Sequence, residues 1–161
     1  MTNKHVAVIM GGWSPERDIS LISGEGCAKA LEASNYQVSR IDAGHNLAEQ
    51  LKAVKPDVIF NALHGVGGED GVVQGLFELL EIPYTHSGVM ASALAMDKIQ
   101  AKKIFAEAGL SVAPDMKVFA GDISNHPMTP PYVVKPINQG SSVGIELVKD
   151  RESKEPDSVS A

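Results

Sequence analysis

Short apolar runs alternate with stretches of helical periodicity along the first two-thirds of the chain. Predicted strands share a local excess of apolar residues and occupy residues 6–10, 36–41, 58–63 and 82–84. The first of them is continuously apolar, which is typical of a strand buried on both faces. Predicted helices follow the first three strands, over residues 15–34, 47–54 and 72–80. This alternation predicts an α/β fold with a Rossmann-like parallel sheet and helices on both faces.

Capping signals predict where several helices begin and end. Ser14 is the predicted N-cap of the first helix, with Pro15 at its first helical position. Asp97 is the predicted N-cap of a later helix that ends at Gly109. The pattern changes at this later helix, so we expect a domain boundary near residue 96.

The chain beyond this boundary has weaker periodicity. We expect residues 1–95 to form one domain and residues 96–150 an incomplete second one. Its predicted strands are short and occupy residues 117–119, 132–134 and 143–148. Residues 151–161 are charged and serine-rich without periodicity, which predicts a disordered tail.

Composition narrows the classes of function. The chain has 161 residues with 14 Lys and Arg against 20 Asp and Glu, for a net charge of -6. This balance, without a basic stripe, argues against nucleic-acid binding. Neither a signal peptide nor an apolar stretch of membrane-spanning length is evident, so we expect a cytoplasmic location without membrane association. The single Cys27 has no partner at metal-ligand spacing, and no histidine pair has such spacing either, so no metal site is predicted.

Two glycine-rich loops follow predicted strands, at Gly11-Gly12 and at residues 65–71. Ligands of parallel sheets bind beyond the carboxyl ends of the strands, which makes these loops candidate binding elements. Glu16 follows the first loop, where it either complements the helix dipole or binds a substrate ammonium group. His64 directly follows the third strand, as a structural hydrogen-bonding residue or as a substrate contact.

A second set of candidate residues suits an anion. Lys98 lies in the first turn of a predicted helix, where the dipole disfavours a cation unless an anion is bound; the alternative is a solvated surface lysine. Lys135 ends a predicted strand and precedes the loop that contains Gly140, Ser141 and Ser142. Such a loop either binds a phosphate through its backbone N–H groups and hydroxyls or is an ordinary hairpin. It lacks the Lys-Ser/Thr pair of a P-loop.

Taken in order, the motifs resemble the D-alanine–D-alanine ligase family of the ATP-grasp superfamily. The resemblance covers residues 4–150 and rests on GGWSPERDIS at 11–20, ALHG at 62–65, GEDG at 68–71, PYT at 83–85, SGV at 87–89, ASAL at 91–94, MDK at 96–98, VVKP at 133–136 and GSSVG at 140–144. It implies a pre-ATP-grasp domain followed by the first part of an ATP-grasp domain.

The resemblance also implies a reaction. In the family, ATP phosphorylates the carboxylate of one D-alanine, and the amine of a second D-alanine attacks the acyl phosphate to give D-alanyl-D-alanine for peptidoglycan synthesis. By position, Glu16 would hold the ammonium group of the first D-alanine with His64 beside it, and Ser141 would orient Glu16. Lys98, Lys135 and Ser142 would bind the phosphates of ATP.

Two departures from the family qualify this expectation. His86 stands where the commoner motif has glycine, which we expect to alter only a loop. A full member is also about twice as long, and the remainder would supply the adenine pocket, the Mg²⁺ carboxylates and the second D-alanine subsite. We therefore expect this chain alone to be inactive, with an uncovered apolar face over residues 97–150.

Three hypotheses for the function follow from these observations. The first is the D-alanine ligase, expected to form a homodimer. The second is a non-catalytic fragment that acts as a dimerisation or substrate-binding module. The third is an ATP-grasp ligase with another substrate, against which Glu16, His64 and Ser141 argue because together they match the D-alanine subsite.

Overall fold

The computed structural model describes residues 4–119, 126–140 and 142–152. Within them the elements follow in the order β1 (His5–Gly11), α1 (Arg17–Ala33), β2 (Gln37–Ala43), α2 (Leu47–Val54), β3 (Val58–Asn61), α3 (Val72–Leu79), α4 (Val89–Met96), α5 (Lys98–Glu107), β4 (Tyr132–Val134) and β5 (Glu146–Val148). They form two compact units, which meet in the sequence between Ala93 and Leu94.

The first unit is built on a parallel sheet in the order β2-β1-β3. The central strand β1 pairs with both neighbours, and Val6 lies opposite Val38 on one side and Val58 on the other. The predicted strand at 82–84 was too long, because only Tyr84 forms a parallel bridge, to Ile59. The parallel α/β sheet predicted from the sequence is therefore confirmed.

Side chains of β1 alternate between two apolar layers, one on each face of the sheet. Ala7 and Ile9 pack with residues of α2 and α3, among them Leu51 and Phe77. On the opposite face, β1 packs against α1 through Val6, Val8, Met10 and Ala28. Helices thus cover both faces, as the continuous apolar run of β1 predicted.

The predicted start of α1 was wrong. The helix begins at Arg17, and Ser14 to Glu16 form a turn in which the Arg17 amide donates to the Ser14 carbonyl at 3.1 Å. The N-cap position is Glu16 and not Ser14; the Ser14 hydroxyl accepts from the Glu16 amide at 3.1 Å within this turn and donates to the His64 carbonyl at 2.7 Å. Helix α4 was not predicted at all. No helix of the described part of the chain is both long and apolar enough to cross a membrane.

The second unit contains α5 and the antiparallel pair β4–β5. The Asp97 cap of α5 is confirmed, since its carboxylate accepts hydrogen bonds from the amides of Ile99 and Gln100. The predicted strand at 117–119 was wrong, because these residues have no regular structure. The strand predicted from 143 begins only at Glu146, after a turn closed by the bond from the Val143 amide to the Gly140 carbonyl at 3.0 Å.

Apolar side chains of the second unit are widely exposed. No residue of α5 is buried, and Phe105 is 47% exposed. Val133 and Leu147 lie opposite each other across β4 and β5 and are 47% and 59% exposed. The expected uncovered apolar face is thus present among the described residues. Residues 153–161 of the predicted tail lie outside them.

Two glycines of α1 test how closely this helix packs on the sheet. A Cβ at Gly24 would lie 2.5 Å from Met10 Cβ, whereas nothing lies within 4 Å of one at Gly26. We expect Gly24→Ala to lower the free energy of unfolding by about 1–3 kcal/mol through overpacking. Gly26→Ala, the matched control, should raise it by about 0.5–1 kcal/mol. Urea unfolding of both variants measures this, and equal effects would contradict the packing described.

Candidate functional site

The carboxyl ends of β1 and β3 are joined by a buried serine. The Ser20 hydroxyl accepts a hydrogen bond from the Gly11 amide at 2.9 Å and donates to the Ala62 carbonyl at 2.7 Å. Ser20 is fully buried. Because one side chain serves a backbone group of each strand end, it keeps the loops after β1 and β3 side by side.

Glu16 lies buried between these two loops, with 5% of its surface exposed. Its amide donates to the Ser14 hydroxyl at 3.1 Å, and that hydroxyl donates to the His64 carbonyl. A Cβ at Gly65 would lie 2.7 Å from Glu16 Oε1, and Gly65 has a φ of +70°. Only glycine leaves room there for the carboxylate.

The His64 ring points to α1, where its Nε2 lies 2.9 Å from the Ser23 hydroxyl. The structure therefore brings the predicted residues Glu16 and His64 to one place, linked by Ser14, at the carboxyl edge of the sheet. We call Ser14, Glu16, His64 and Gly65 the carboxylate cluster. Ser141, the third residue predicted for this subsite, lies outside the described residues.

An ion pair supports the loop that leads to Glu16. Arg17 forms two hydrogen bonds of 2.6 Å with the carboxylate of Asp42 and donates to the Gly12 carbonyl at 3.0 Å. The hydrogen bond from Arg17 lowers the pKa of Asp42, and partial burial opposes this change. The pair therefore stays charged at neutral pH and holds Gly12 near the end of β2.

The glycine loop after β3 is stabilised by its own side chains. Glu69 accepts from the Gly65 amide and Asp70 from the Gly67 amide, each at 2.7 Å. Two amide side chains, Asn61 and Gln74, donate to the Gly68 carbonyl. Because the amides of Gly65 and Gly67 are already engaged by carboxylates, this loop does not resemble a phosphate-binding loop.

Sequence reasoning missed these two amides and their partners. Gln74 is fully buried, and its Nε2 also donates to Nδ1 of His86 at 3.1 Å. His86, the departure from the family motif, is thus tied to the glycine loop. A polar Asn61 in the apolar run 58–63 was a usable signal, since buried polar groups require partners. Trp13 was also missed; its ring stacks on His45 with centroids 5.6 Å apart.

The second unit contains a cleft of about 260 Å³ that gathers the other predicted residues. We call it the lysine cleft; its polar lining comes from Lys98, Lys135, Gln139, Gly140 and Ser142. Among the residues that the structure describes, no carboxylate lines this cleft. Two cations, a glycine and a hydroxyl in one concave site form an environment for an anion such as a phosphate.

The ammonium group of Lys98 is hydrogen-bonded to backbone carbonyls of the same unit. Its Nζ donates to the carbonyls of Pro136, Ile137 and Gln139 at 2.9, 3.2 and 2.6 Å. Partial burial lowers the pKa of Lys98, and the neighbouring charge of Lys135 lowers it further, whereas Asp97 raises it. Carbonyl dipoles thus compensate the cation in the first turn of α5, a solution that the sequence did not indicate.

The described residues offer no metal centre, because no group of three or more His, Cys, Asp or Glu among them is placed to hold an ion. The described residues therefore provide a buried carboxylate in one unit and a cationic cleft in the other. The first suits a substrate cation and the second a polyanion.

Removing the Lys98 ammonium should loosen the loop that it organises. In Lys98→Met, three carbonyls lose a charged donor, so we expect the Val143 amide, bonded to Gly140, to exchange about tenfold faster or more. Hydrogen exchange by NMR measures this. Lys103→Met, an exposed lysine of the same helix, is the control, and an unchanged rate in Lys98→Met would refute the role of the ammonium.

Comparison with known proteins gives one family. The model described as "D-ala D-ala ligase N-terminus" matches residues 40–87. The D-alanine–D-alanine ligase of Sinorhizobium medicae is 56% identical over 97% of this chain and 51% of its own length, and ligase B of Brucella suis is 59% identical over the same shares. The chain thus spans about half the length of these curated relatives.

Solved structures agree with the sequence comparison. The D-alanine–D-alanine ligase of Bacillus anthracis superposes with a TM-score of 0.78 at 36% identity, over 92% of this chain and 50% of that one. The same enzyme complexed with ATP gives 0.76 at 33% identity, over 92% and 51%. The chain belongs to the D-alanine–D-alanine ligase family and corresponds to the amino-terminal part of its members.

Proposed function

We propose that the chain supplies the residues that bind the first D-alanine and the ATP phosphates in the ATP-dependent synthesis of D-alanyl-D-alanine. The observation that carries the proposal is Glu16, a carboxylate with 5% of its surface exposed at the carboxyl edge of a parallel sheet. A buried carboxylate attracts a cation more strongly than an exposed one, because less water screens its charge. A substrate ammonium group is such a cation, and the relatives named above are ligases of D-alanine.

In this proposal Glu16 and His64 hold the ammonium group of the first D-alanine, and Ser141 orients Glu16. The carboxylate of that D-alanine attacks the γ-phosphorus of ATP, and ADP leaves. The amine of the second D-alanine then attacks the acyl phosphate, a proton is lost and phosphate departs. Phosphoryl transfer depends mainly on positioning and on stabilising charge, which Lys98, Lys135 and Ser142 supply.

Lys98 has to change partners for this role. Its ammonium donates to three loop carbonyls, so a phosphate oxygen has to replace at least one of them. The loop from 136 to 140 then moves when the nucleotide binds. A charge-assisted bond to phosphate is stronger than one to a neutral carbonyl, which favours the exchange.

The described residues do not fit Mg²⁺, because the lysine cleft has no carboxylate lining and no metal-ligand group occurs among them. We therefore assign no step of this chain's residues to the ion, whose ligands in the proposal come from the part of the relatives that this chain does not span. We also propose that the reaction takes place in the cytoplasm and supplies peptidoglycan precursors.

A chimera tests the proposal most directly. This chain, joined to the carboxy-terminal half of the Brucella suis relative, should release phosphate from ATP with D-alanine and not with L-alanine. Glu16→Gln in the chimera should lower kcat/KM for D-alanine by about thirtyfold or more, because the ammonium loses its buried counter-charge, worth about 2 kcal/mol.

Glu49→Gln is the matched control, since Glu49 is an exposed carboxylate of α2. It should leave kcat/KM within about twofold. If the Glu16→Gln chimera folds and keeps full D-alanine-dependent activity, Glu16 does not bind the substrate ammonium group. Equal turnover with L-alanine would contradict the proposal that D-alanine is the specific substrate.

We also propose that the chain pairs with a second copy through the outer face of α1. Ile19 and Ile22 lie one turn apart on this helix and are 56% and 71% exposed, which is unusual for neighbouring large apolar side chains. Ile22→Glu should shift the chain to the monomer in sedimentation velocity. If Leu79→Glu, on the exposed face of α3, does so instead, the interface lies elsewhere.

A further inference from the structure

The ring of His64 is in contact with the side chain of Ser23. Ser23 lies on α1, one turn after Ser20, and its Oγ is 2.9 Å from His64 Nε2. The same hydroxyl donates to the Ser20 carbonyl at 3.2 Å. A serine hydroxyl has one proton, so it donates to only one of these two groups at a time.

The choice determines which nitrogen of the His64 ring carries hydrogen. If the Ser23 proton stays on the Ser20 carbonyl, Ser23 accepts from Nε2–H and Nδ1 keeps its lone pair. If the proton turns to Nε2, the neutral ring carries hydrogen on Nδ1. Serines inside helices commonly donate to the carbonyl three or four residues earlier, which favours the first arrangement.

The class of substrate also favours the arrangement in which Nδ1 of His64 keeps its lone pair. This step rests on the proposed function, in which the carboxylate cluster binds an ammonium group. An ammonium has three N–H donors and no acceptor, so every group around it has to accept. Glu16 does so as a carboxylate, and His64 does so only through a nitrogen without hydrogen.

The described residues leave Nδ1 for this purpose. Of their side-chain hydrogen bonds, the one that involves the His64 ring is the contact of Nε2 with Ser23. The His64 carbonyl is separately fixed by Ser14, so the backbone and the ring are each held from α1 or from the turn before it. Rotation of the ring would break the contact with Ser23.

We propose that Ser23 is a positioning residue, which fixes His64 as the Nε2–H tautomer so that Nδ1 accepts a hydrogen bond from the ammonium group of the substrate. Ser23 acts only through His64 and touches no substrate atom. Its role is to make the carboxylate cluster an acceptor-only site, which distinguishes an amino acid from a neutral or anionic ligand.

The tautomer is directly measurable. Long-range ¹H–¹⁵N correlation spectra of the uniformly labelled chain, at about two pH units above the ordinary imidazole pKa of about 6.5, should show His64 with hydrogen on Nε2. Ser23→Ala should shift the ring toward a mixture of tautomers. Ser23→Thr, which keeps the hydroxyl and its bond to the helix carbonyl, should restore the native spectrum.

Two controls separate this effect from general damage to α1. Ser34→Ala removes another serine that donates to a carbonyl of the same helix, that of Ala30 at 2.9 Å, and should leave His64 unchanged. The ring of His5, which pairs with Ser39, should be unaffected in every variant. The proposal would be overturned if His64 of the native chain carried its hydrogen on Nδ1. It would also be overturned if the His64 spectrum were the same in the native chain and in Ser23→Ala.

A titration with D-alanine separates this inference from the proposed function. D-alanine, and not L-alanine, should move the His64 Nδ1 resonance, and Ser23→Ala should raise the dissociation constant about fivefold to tenfold, the loss expected for one hydrogen bond. If the tautomer depends on Ser23 and D-alanine leaves the resonance unmoved, the positioning by Ser23 stands and the assignment of the ammonium site fails.

Discussion

The hydroxyl of Ser20 is the contact on which the carboxylate cluster depends. It joins the Gly11 amide at the end of β1 to the Ala62 carbonyl at the end of β3. A helical side chain has neighbours on its own face three and four residues away. Glu16 lies four residues before Ser20 and Ser23 lies three after it, so both side chains lie on the same side as Ser20, toward the loop that contains His64. One polar stripe, formed by α1 and the residue before it, thereby brings together the sheet edge, the carboxylate and the histidine.

This stripe shows how much of the site could be predicted. The apolar run of β1 was sufficient to predict a buried parallel strand. The glycines after β1 and β3 indicated the edge of the sheet at which a ligand is expected to bind. The same periodicity that marks the apolar face of α1 also brings residues 16, 20 and 23 together. This spacing was visible in the sequence. The two serines could not be recognised as part of a site, however, because their contacts with Ala62 and His64 are known only from the structure.

The errors have a common physical cause, since local rules were overruled by distant partners. Ser14 and Pro15 form a good helix start by local rules. The Ser14 hydroxyl bonds both the local Glu16 amide and the His64 carbonyl, fifty residues away, and the helix begins only at Arg17. Lys98 is a second case, because its conflict with the dipole of α5 is relieved by carbonyls about forty residues later. Composition and spacing along the chain contain no information about such contacts.

The two candidate sites differ in how far they are preorganised. The backbone of Glu16 is fixed through Ser14 by hydrogen bonds within the first unit, so the proposed binding of an ammonium group there requires little movement of this backbone. In the lysine cleft, the Lys98 ammonium is occupied by the loop that would have to admit a phosphate. Each carbonyl that it releases loses a charged donor, so nucleotide affinity is reduced by the free energy of that exchange. Under the proposed function, the ammonium group of an amino acid therefore meets a backbone that is already in place, whereas a nucleotide first has to displace carbonyls from Lys98.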